Sequence, residues 1–215
     1  MKLTIQNENK IYSQNGEDGI IQCIFEAIGT TNKIAVEIGI SASSGQQGRI
    51  ENNTMNLLSS GWKTFWFDCI DPSYVPENCI FTKEFLTIEN VTDIFTRVGV
   101  PKDFDLLSID IDGNDYHLRE ALSKFNPRVC VIEYNGCFDG ITEYIMPLNN
   151  NYMWSGTADR TFGASLKSYT IQADRMGYDL VYCDSKGVNA FFVRKDINKF
   201  TAVSSEEAWV KLCWS

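Results

Sequence analysis

The stretch Lys33-Ile34-Ala35-Val36-Glu37-Ile38-Gly39 is a short apolar run that ends in glycine and leads into small residues at 41–48. A run of this length predicts a buried β-strand, and the glycine lets the backbone turn tightly close to a ligand. A second such run, Lys63–Asp68, ends in an acidic residue. Ligands of open parallel sheets bind beyond the carboxyl ends of the strands. The two runs therefore predict a ligand-facing sheet edge, although glycines and acids also end strands merely to form a turn.

Helical and strand-like segments alternate along the chain, which is typical of a parallel sheet covered by helices. Predicted helices span 18–28, 53–60, 88–98, 117–124 and 165–176, and predicted strands span 33–39, 63–68, 79–84, 104–110, 128–134, 178–183 and 189–193. The short connection 184–187 predicts that the last two strands form a hairpin. We predict an α/β fold in one domain over 1–215: a mostly parallel seven-stranded sheet with a terminal antiparallel hairpin and helices on both faces. Residues 135–160 are too many for a plain loop and predict an insertion or lid that binds the acceptor.

Composition limits the classes of partner. The formal net charge is −9 and no basic run occurs, which argues against nucleic acid as the main partner. No apolar run is long enough to span a membrane. The seven cysteines form no CxxC pair and no zinc-like spacing, so we expect free thiols in the reducing cytoplasm. The oligomeric state is not indicated by the sequence.

Glu37-Ile38-Gly39 with its small-residue loop, Asp68 after the second strand and the terminal hairpin resemble a Rossmann-like class I S-adenosylmethionine (SAM)-dependent methyltransferase. The resemblance covers nearly the whole chain. It implies that Gly39 lies against the methionine part of SAM and that Asp68 holds the ribose. Glu37 is a further candidate for SAM binding, because its carboxylate can hold a cationic or hydroxyl-bearing ligand nearby. The glycines of the family's motif are reduced to Gly39, Gly45 and Gly48. SAM has no phosphate to cradle, whereas a dinucleotide needs closely spaced glycines, so a nucleotide-dependent oxidoreductase is the weaker alternative.

Four further stretches resemble FkbM-like methyltransferases that decorate glycans: Tyr12–Asp18, Glu51–Thr54, Gly61–Trp62 and Gly163–Leu166. They are also similar to the methyltransferase domains of chlorovirus glycan-building proteins that methylate a terminal rhamnose. The resemblance implies a SAM-binding role for Gln14, Glu17, Asn53 and Thr54. It also implies a sugar or glycan acceptor, compatibility with fusion to glycosyltransferase domains and, for a viral protein, a location in the host cytoplasm. Ser13–Asp18 has a second interpretation as a helix N-terminus, where acidic residues favour the positive end of the dipole.

An acidic turn follows the predicted strand 104–110 and contains Asp110, Asp112, Asn114 and Asp115. Carboxylates this close repel one another unless a cation or hydrogen-bond donors neutralise them. Hard divalent ions prefer oxygen ligands of this kind, and Glu133 and Asn135 follow the next strand. We therefore predict a Mg²⁺ or Mn²⁺ site formed by Asp110, Asp112, Glu133 and Asn135, a ligand set that resembles metal-dependent sugar and catechol O-methyltransferases. The alternative is a plain turn whose side chains bond to their own backbone. An EF-hand is less favoured because the later ligands are missing.

The catalytic centre is expected at the same turn. His117 is the only histidine and follows the acidic residues, so it is a candidate base for a hydroxyl. A lone histidine at a helix start has a structural interpretation as well. Asp112 is the rival base, and Asp110 completes the catalytic set. In the insertion, Tyr144, Tyr152, Trp154, Asp159 and Arg160 offer the aromatic faces and polar groups that sugars bind, and such aromatics also fill cores.

These observations predict an enzyme that transfers a methyl group from SAM to a hydroxyl of a sugar, such as rhamnose on a glycan, with a divalent metal ion assisting. Two alternatives stay open. One is a metal-independent methyltransferase that acts on a small molecule or protein. The other is a non-catalytic module that binds SAM or a partner.

Overall fold

A computed structural model describes residues 1–40, 51–156 and 158–213, and the predicted loop at 41–48 lies outside them. The strands are β1 (Ile34–Ile38), β2 (Lys63–Asp68), β3 (Cys79–Lys83), β4 (Asp103–Ile109), β5 (Asn126–Glu133), β6 (Tyr178–Cys183) and β7 (Asn189–Arg194). The helices are α1 (Glu17–Ile28), α2 (Met55–Ser59), α3 (Val91–Val98), α4 (Asp115–Ala121), α5 (Leu166–Met176) and α6 (Ser205–Ala208). None of these helices combines the length and the apolar character that crossing a membrane requires.

The seven strands form one sheet in the order β3-β2-β1-β4-β5-β7-β6. Strands β1 to β5 pair in parallel, and β7 pairs antiparallel with both β5 and β6. The predicted fold class is therefore confirmed. The strand order reverses between β1 and β4, so a crevice opens there at the carboxyl edge of the sheet.

The central strands are buried on both faces because helices cover the sheet on each side. On one face, Ile20, Ile21 and Ile24 of α1 pack with Ala35 of β1. On the other face, side chains of α3, α4 and α5 pack against β1, β4 and β5, including Phe95. Strands buried on both faces carry continuous apolar runs, which explains why the sequence revealed them clearly.

Three helices differ from the predicted ranges by more than one residue at one end or both. α3 begins at Val91 because the chain before it turns, with Asn90 Oδ1 accepting from the Thr87 N–H at 2.8 Å. α4 begins at Asp115 and ends at Ala121, whereas 117–124 was predicted. α2 is shorter than the predicted 53–60, since the N–H groups before it bond to the side chain of Glu37.

A buried ion pair fastens the sheet at its other edge. Asp105 on β4 accepts from Arg128 Nη1 at 2.9 Å, and both side chains are almost fully buried. The same carboxylate accepts from the backbone N–H groups of Thr31, Asn32 and Lys33, which lead into β1. These bonds hold the amino ends of β1 and β4 side by side, at the edge of the sheet opposite the crevice.

Candidate functional site

A cleft of about 650 Å³ lies at the carboxyl ends of β1, β2 and β4, where the strand order reverses. Most of the predicted site residues line it, namely Gln14, Glu37, Gly39, Asn53, Asp68, Asp110 and Asp112. A larger open depression of about 940 Å³ lies around the opposite edge and contains none of the predicted residues. The chemistry-bearing side chains are therefore concentrated at the crevice.

Gly39 forms the floor of the cleft and cannot be replaced by a residue with a side chain. Its φ is +78°, and an added Cβ would lie 1.6 Å from the backbone oxygen of Asp110. The glycine is thus required by the close approach of β1 and β4. It also leaves the floor open to a ligand.

Asp68 ends β2 beside this floor and is half-buried. One carboxylate oxygen accepts from the Ile40 N–H at 3.0 Å and the other from the Ile70 N–H at 2.8 Å. A carboxylate offers about four acceptor positions, so two remain for hydroxyl groups of a ligand once the bonds from the described residues are counted.

Glu37 organises the entry to α2. Its buried carboxylate accepts from the N–H groups of Asn53 at 2.7 Å and Thr54 at 3.1 Å, and from the Thr54 hydroxyl. Burial raises the pKa of Glu37 to about 7, although these bonds oppose the shift. Thr54 does not line the cleft, because its hydroxyl also accepts from Trp66 Nε1 at 2.8 Å. Asn53 does line it and donates to Ser108 Oγ at 3.1 Å.

Glu17 lies behind the cleft and connects two distant segments. It is fully buried and accepts from the Asn15 N–H at 2.7 Å and from Asn189 Nδ2 at 2.9 Å. Asn189 lines the cleft from β7, and its Oδ1 is buried without a hydrogen-bond partner among the described residues. No pattern in the sequence pointed to Asn189, because it is one polar residue at the start of an apolar strand.

The acidic turn and the end of β5 bring three carboxylates together. Oxygens of Asp110, Asp112 and Glu133 all lie within 4.8 Å of one another. Burial, reinforced by the neighbouring carboxylates, raises the pKa of Asp110 and of Glu133 well above the ordinary values. Asp112 adopts a left-handed backbone with φ of +57°, which is unusual outside glycine and is often found at functional sites.

Asp115 has the role that the turn interpretation predicts, in which an acidic side chain bonds to the backbone of its own turn. Its carboxylate accepts from the Ile111 N–H at 2.7 Å and the Gly113 N–H at 2.8 Å, which fixes the backbone at the start of α4. In the described parts of the chain, no backbone N–H and no basic side chain donates to the carboxylates of Asp110, Asp112 or Glu133. These three are therefore not explained by the turn.

The side chain of Asn135 forms its hydrogen bonds with the segment that follows β5. Its Nδ2 donates to the carbonyl oxygens of Arg160 at 3.0 Å and Phe162 at 2.8 Å, and its Oδ1 accepts from the Cys137 N–H at 3.0 Å. The amide thus joins the two ends of the insertion. The sequence alone could not tell whether Asn135 binds a metal ion or bonds to the insertion, because an amide that follows β5 can do either.

His117 does not line the cleft. Its Nε2 donates to the carbonyl oxygen of Met146 at 2.8 Å, which holds the insertion against α4. The carbonyl can only accept, so this nitrogen carries the proton. The candidate bases that line the cleft are Asp110 and Asp112.

No protein-family model matches the sequence, and no curated protein matches it. Solved structures do match. The MycE methyltransferase from the mycinamycin biosynthetic pathway, in complex with Mg and SAH, superimposes in crystal form 1 with a TM-score of 0.52 and 18% identity. That match covers 84% of this chain and 50% of MycE. Crystal form 2 superimposes with a TM-score of 0.51 and 18% identity, and its match covers 82% of this chain and 48% of MycE. This chain has the class I methyltransferase fold. It spans about half the length of the MycE chains.

Part of the insertion lines the cleft. The segment between β5 and α5 contains an isolated bridge between Ile145 and Ala164, and the rest of its described part is irregular. Tyr152 and Trp154 line the cleft, whereas Tyr144 does not. The predicted acceptor-binding segment therefore contributes two of its aromatic rings to the site.

Proposed function

We propose that this chain transfers a methyl group from SAM to a hydroxyl of a sugar, assisted by a divalent metal ion. The observation that carries the proposal is a shared cleft. Within the described residues, Asp68 keeps two acceptor positions above the Gly39 floor, and Asp110 and Asp112, two of the three carboxylates that receive no bond from a backbone N–H or a basic side chain, line the same cavity. A donor of methyl groups and its acceptor could therefore meet there.

The size and charge of the cleft fit SAM. Small-molecule sites in proteins enclose about 300–1,000 Å³, and this cleft has about 650 Å³. Its described lining contains six acidic side chains and no lysine or arginine: Glu37, Glu51, Asp68, Glu84, Asp110 and Asp112. Two of them, Glu51 and Glu84, form ion pairs with Lys10 and Arg97 outside the lining. An acidic cleft attracts a ligand that carries a sulfonium and an ammonium group. Ile70 and Phe85 add exposed apolar side chains at the mouth, which suits the adenine ring.

The three carboxylates fit a hard divalent ion. Mg²⁺ binds oxygen at about 2.1 Å and Ca²⁺ at about 2.4 Å, so ligands on opposite sides lie roughly 4–5 Å apart. The oxygens of Asp110, Asp112 and Glu133 lie within 4.8 Å of one another. These three residues would hold the ion. When bound, it would bring the pKa of a sugar hydroxyl closer to neutral.

The residues of the chain position the reactants. Asp68 accepts the ribose hydroxyls, and Gly39 lets the donor approach the sheet. Much of the acceleration then comes from holding the sugar oxygen in line with the methyl group. Asp112 would accept the hydroxyl proton at a carboxylate oxygen. The wider resemblance to glycan-decorating enzymes makes rhamnose a reasonable first acceptor and leaves room for attached glycosyltransferase domains.

The test combines binding with turnover. Protein treated with EDTA is titrated with SAM and SAH by calorimetry, and methyl transfer to a panel of glycosides is then measured with and without Mg²⁺ or Mn²⁺. We expect binding together with metal-dependent transfer. Asp112→Asn should lower the transfer rate by roughly 100- to 10,000-fold, whereas Asp103→Asn, an exposed residue of β4, should leave it unchanged.

Each alternative gives a different result. Methyl transfer that EDTA does not change would rule out the role of the metal ion and indicate a metal-independent methyltransferase. Binding of SAM without transfer to any acceptor would indicate a non-catalytic module. Folded protein that binds neither SAM nor SAH would refute the proposal.

A further inference from the structure

Tyr152 is the aromatic residue of the insertion that lies on the acidic turn. Its ring lies next to Gly113, which stands between Asp112 and Asn114 in the chain. Tyr152 and these three residues of the turn line the cleft. Its backbone N–H donates to the Asn149 carbonyl at 3.1 Å, which forms a tight turn above α4. One part of the ring therefore contacts the turn while another part faces the cavity.

Gly113 is required by this ring and not by its own backbone. Unlike Gly39, it does not adopt a positive φ, so another residue could take its backbone conformation. An added Cβ would lie 2.7 Å from Cδ1 and 3.1 Å from Cε1 of Tyr152. The glycine thus makes room for an aromatic side chain directly beside the carboxylate of Asp112.

The ring is fixed in place from several sides. Its hydroxyl donates to Asp159 Oδ2 at 2.7 Å, and Asp159 Oδ1 accepts from the N–H and hydroxyl of Thr161, both at 2.9 Å. Burial, together with the carboxylate of Asp159, raises the pKa of the hydroxyl, which keeps it a donor. The turn below is held by Asn114, whose amide donates to the Asn149 carbonyl at 3.0 Å and accepts from the Asn149 N–H at 3.2 Å.

We infer that Tyr152 is the platform on which the acceptor sugar lies, with the C–H face of the sugar ring on the aromatic ring and the hydroxyls directed to Asp110 and Asp112. The inference rests on the proposed function for the class of acceptor. A rigid aromatic face next to a polar cluster suits a ligand that is apolar on one side and carries hydroxyls at its rim. A ring already held in place contributes more to affinity, because little freedom is lost on binding.

The test measures binding of the sugar without requiring turnover. Methyl rhamnoside, methyl mannoside and methyl glucoside are titrated by saturation-transfer NMR into the wild type, Tyr152→Leu and Tyr152→Phe. Tyr144→Leu is the matched control, because Tyr144 belongs to the same segment, is half-buried and donates through its hydroxyl, yet does not line the cleft. The affinity for SAM is measured for each variant by calorimetry.

We expect Tyr152→Leu to weaken the best glycoside by about tenfold, and Tyr152→Phe by about threefold through loss of the tether to Asp159. Tyr144→Leu should bind it like the wild type, and the affinity for SAM should change by less than about twofold in all variants. Gly113→Ala should weaken the glycoside in the wild-type background and have no further effect combined with Tyr152→Leu, because both changes act through the same ring.

Three outcomes would overturn the inference. These are a folded Tyr152→Leu variant that binds the glycoside like the wild type, a wild type that binds no glycoside of the panel, and a parallel loss of SAM affinity. The proposed function fails separately. If the glycoside depends on Tyr152 but no methyl group is transferred, the platform stands and the methyltransferase activity does not.

Discussion

Replacing Asp68 with asparagine should weaken SAM binding, and the size of the loss follows from the hydrogen bonds of this residue. In the described part of the chain, the N–H groups of Ile40 and Ile70 take two of its acceptor positions, and two remain for the ribose. An asparagine has only one oxygen, so its amide group must face either a backbone N–H or a ribose hydroxyl. The charge is lost as well. Hydrogen bonds to a charged group contribute about 1.5–3 kcal/mol, so we expect Kd to rise roughly 10- to 150-fold.

The assay is calorimetric titration with SAM and SAH, and with an SAH analogue that lacks the ribose hydroxyls. The wild type should bind the analogue much more weakly than SAH, and Asp68→Asn should distinguish the two poorly. Asp71→Asn is the control, because Asp71 lies on the same loop and pairs with Lys83 in an exposed ion pair of little energetic value. A folded Asp68→Asn variant that binds SAM within about threefold of the wild type would refute the assignment of Asp68 to the ribose.

Three further predictions concern stability and charge. Asp105→Asn should lower the free energy of unfolding by about 3–5 kcal/mol in urea titrations, because it breaks a buried ion pair and leaves N–H groups without an acceptor. The free energy of unfolding should decrease as the pH rises from about 4 to about 7 because of Asp184. Burial raises the pKa of this residue from 3.8 to about 7 in the folded protein. The folded state keeps a proton there that the unfolded state has lost, so Asp184→Asn should flatten this part of the pH profile. Added salt should weaken SAM binding more than SAH binding, because SAM carries one more positive charge in an acidic cleft.

Each of these has a control or a contradicting result. Asp103 lies on the same strand as Asp105 but is exposed. Asp103→Asn should therefore change the free energy of unfolding by no more than about 0.5 kcal/mol. An Asp105→Asn variant whose free energy of unfolding is equally close to that of the wild type would contradict the role of the buried ion pair. An unchanged pH profile in Asp184→Asn, or equal salt dependence for SAM and SAH, would contradict the other two.

Much of the site was predictable because parallel strands bring their carboxyl ends together. Gly39, Asp68, Asp110 and Glu133 each end or follow a strand that the apolar pattern identified, so their neighbourhood follows from the topology. The ligand role of the carboxylates and the narrower likeness to glycan-decorating enzymes stay predictions. Asn189 could not be found in this way, because its contact with Glu17 joins opposite ends of the chain.

The sequence by itself determined the fold class, since buried strands need continuous apolar runs and the hairpin needs a short connection. It also determined which acids and glycines stand at strand ends. Only the tertiary structure decided how each polar side chain is used. Glu37 and Asp115 bond to backbone N–H groups, and Asn135 and His117 hold the insertion in place. The physical reason is that a side chain's partners depend on segments far away in the chain, which meet only when the sheet and the insertion are packed.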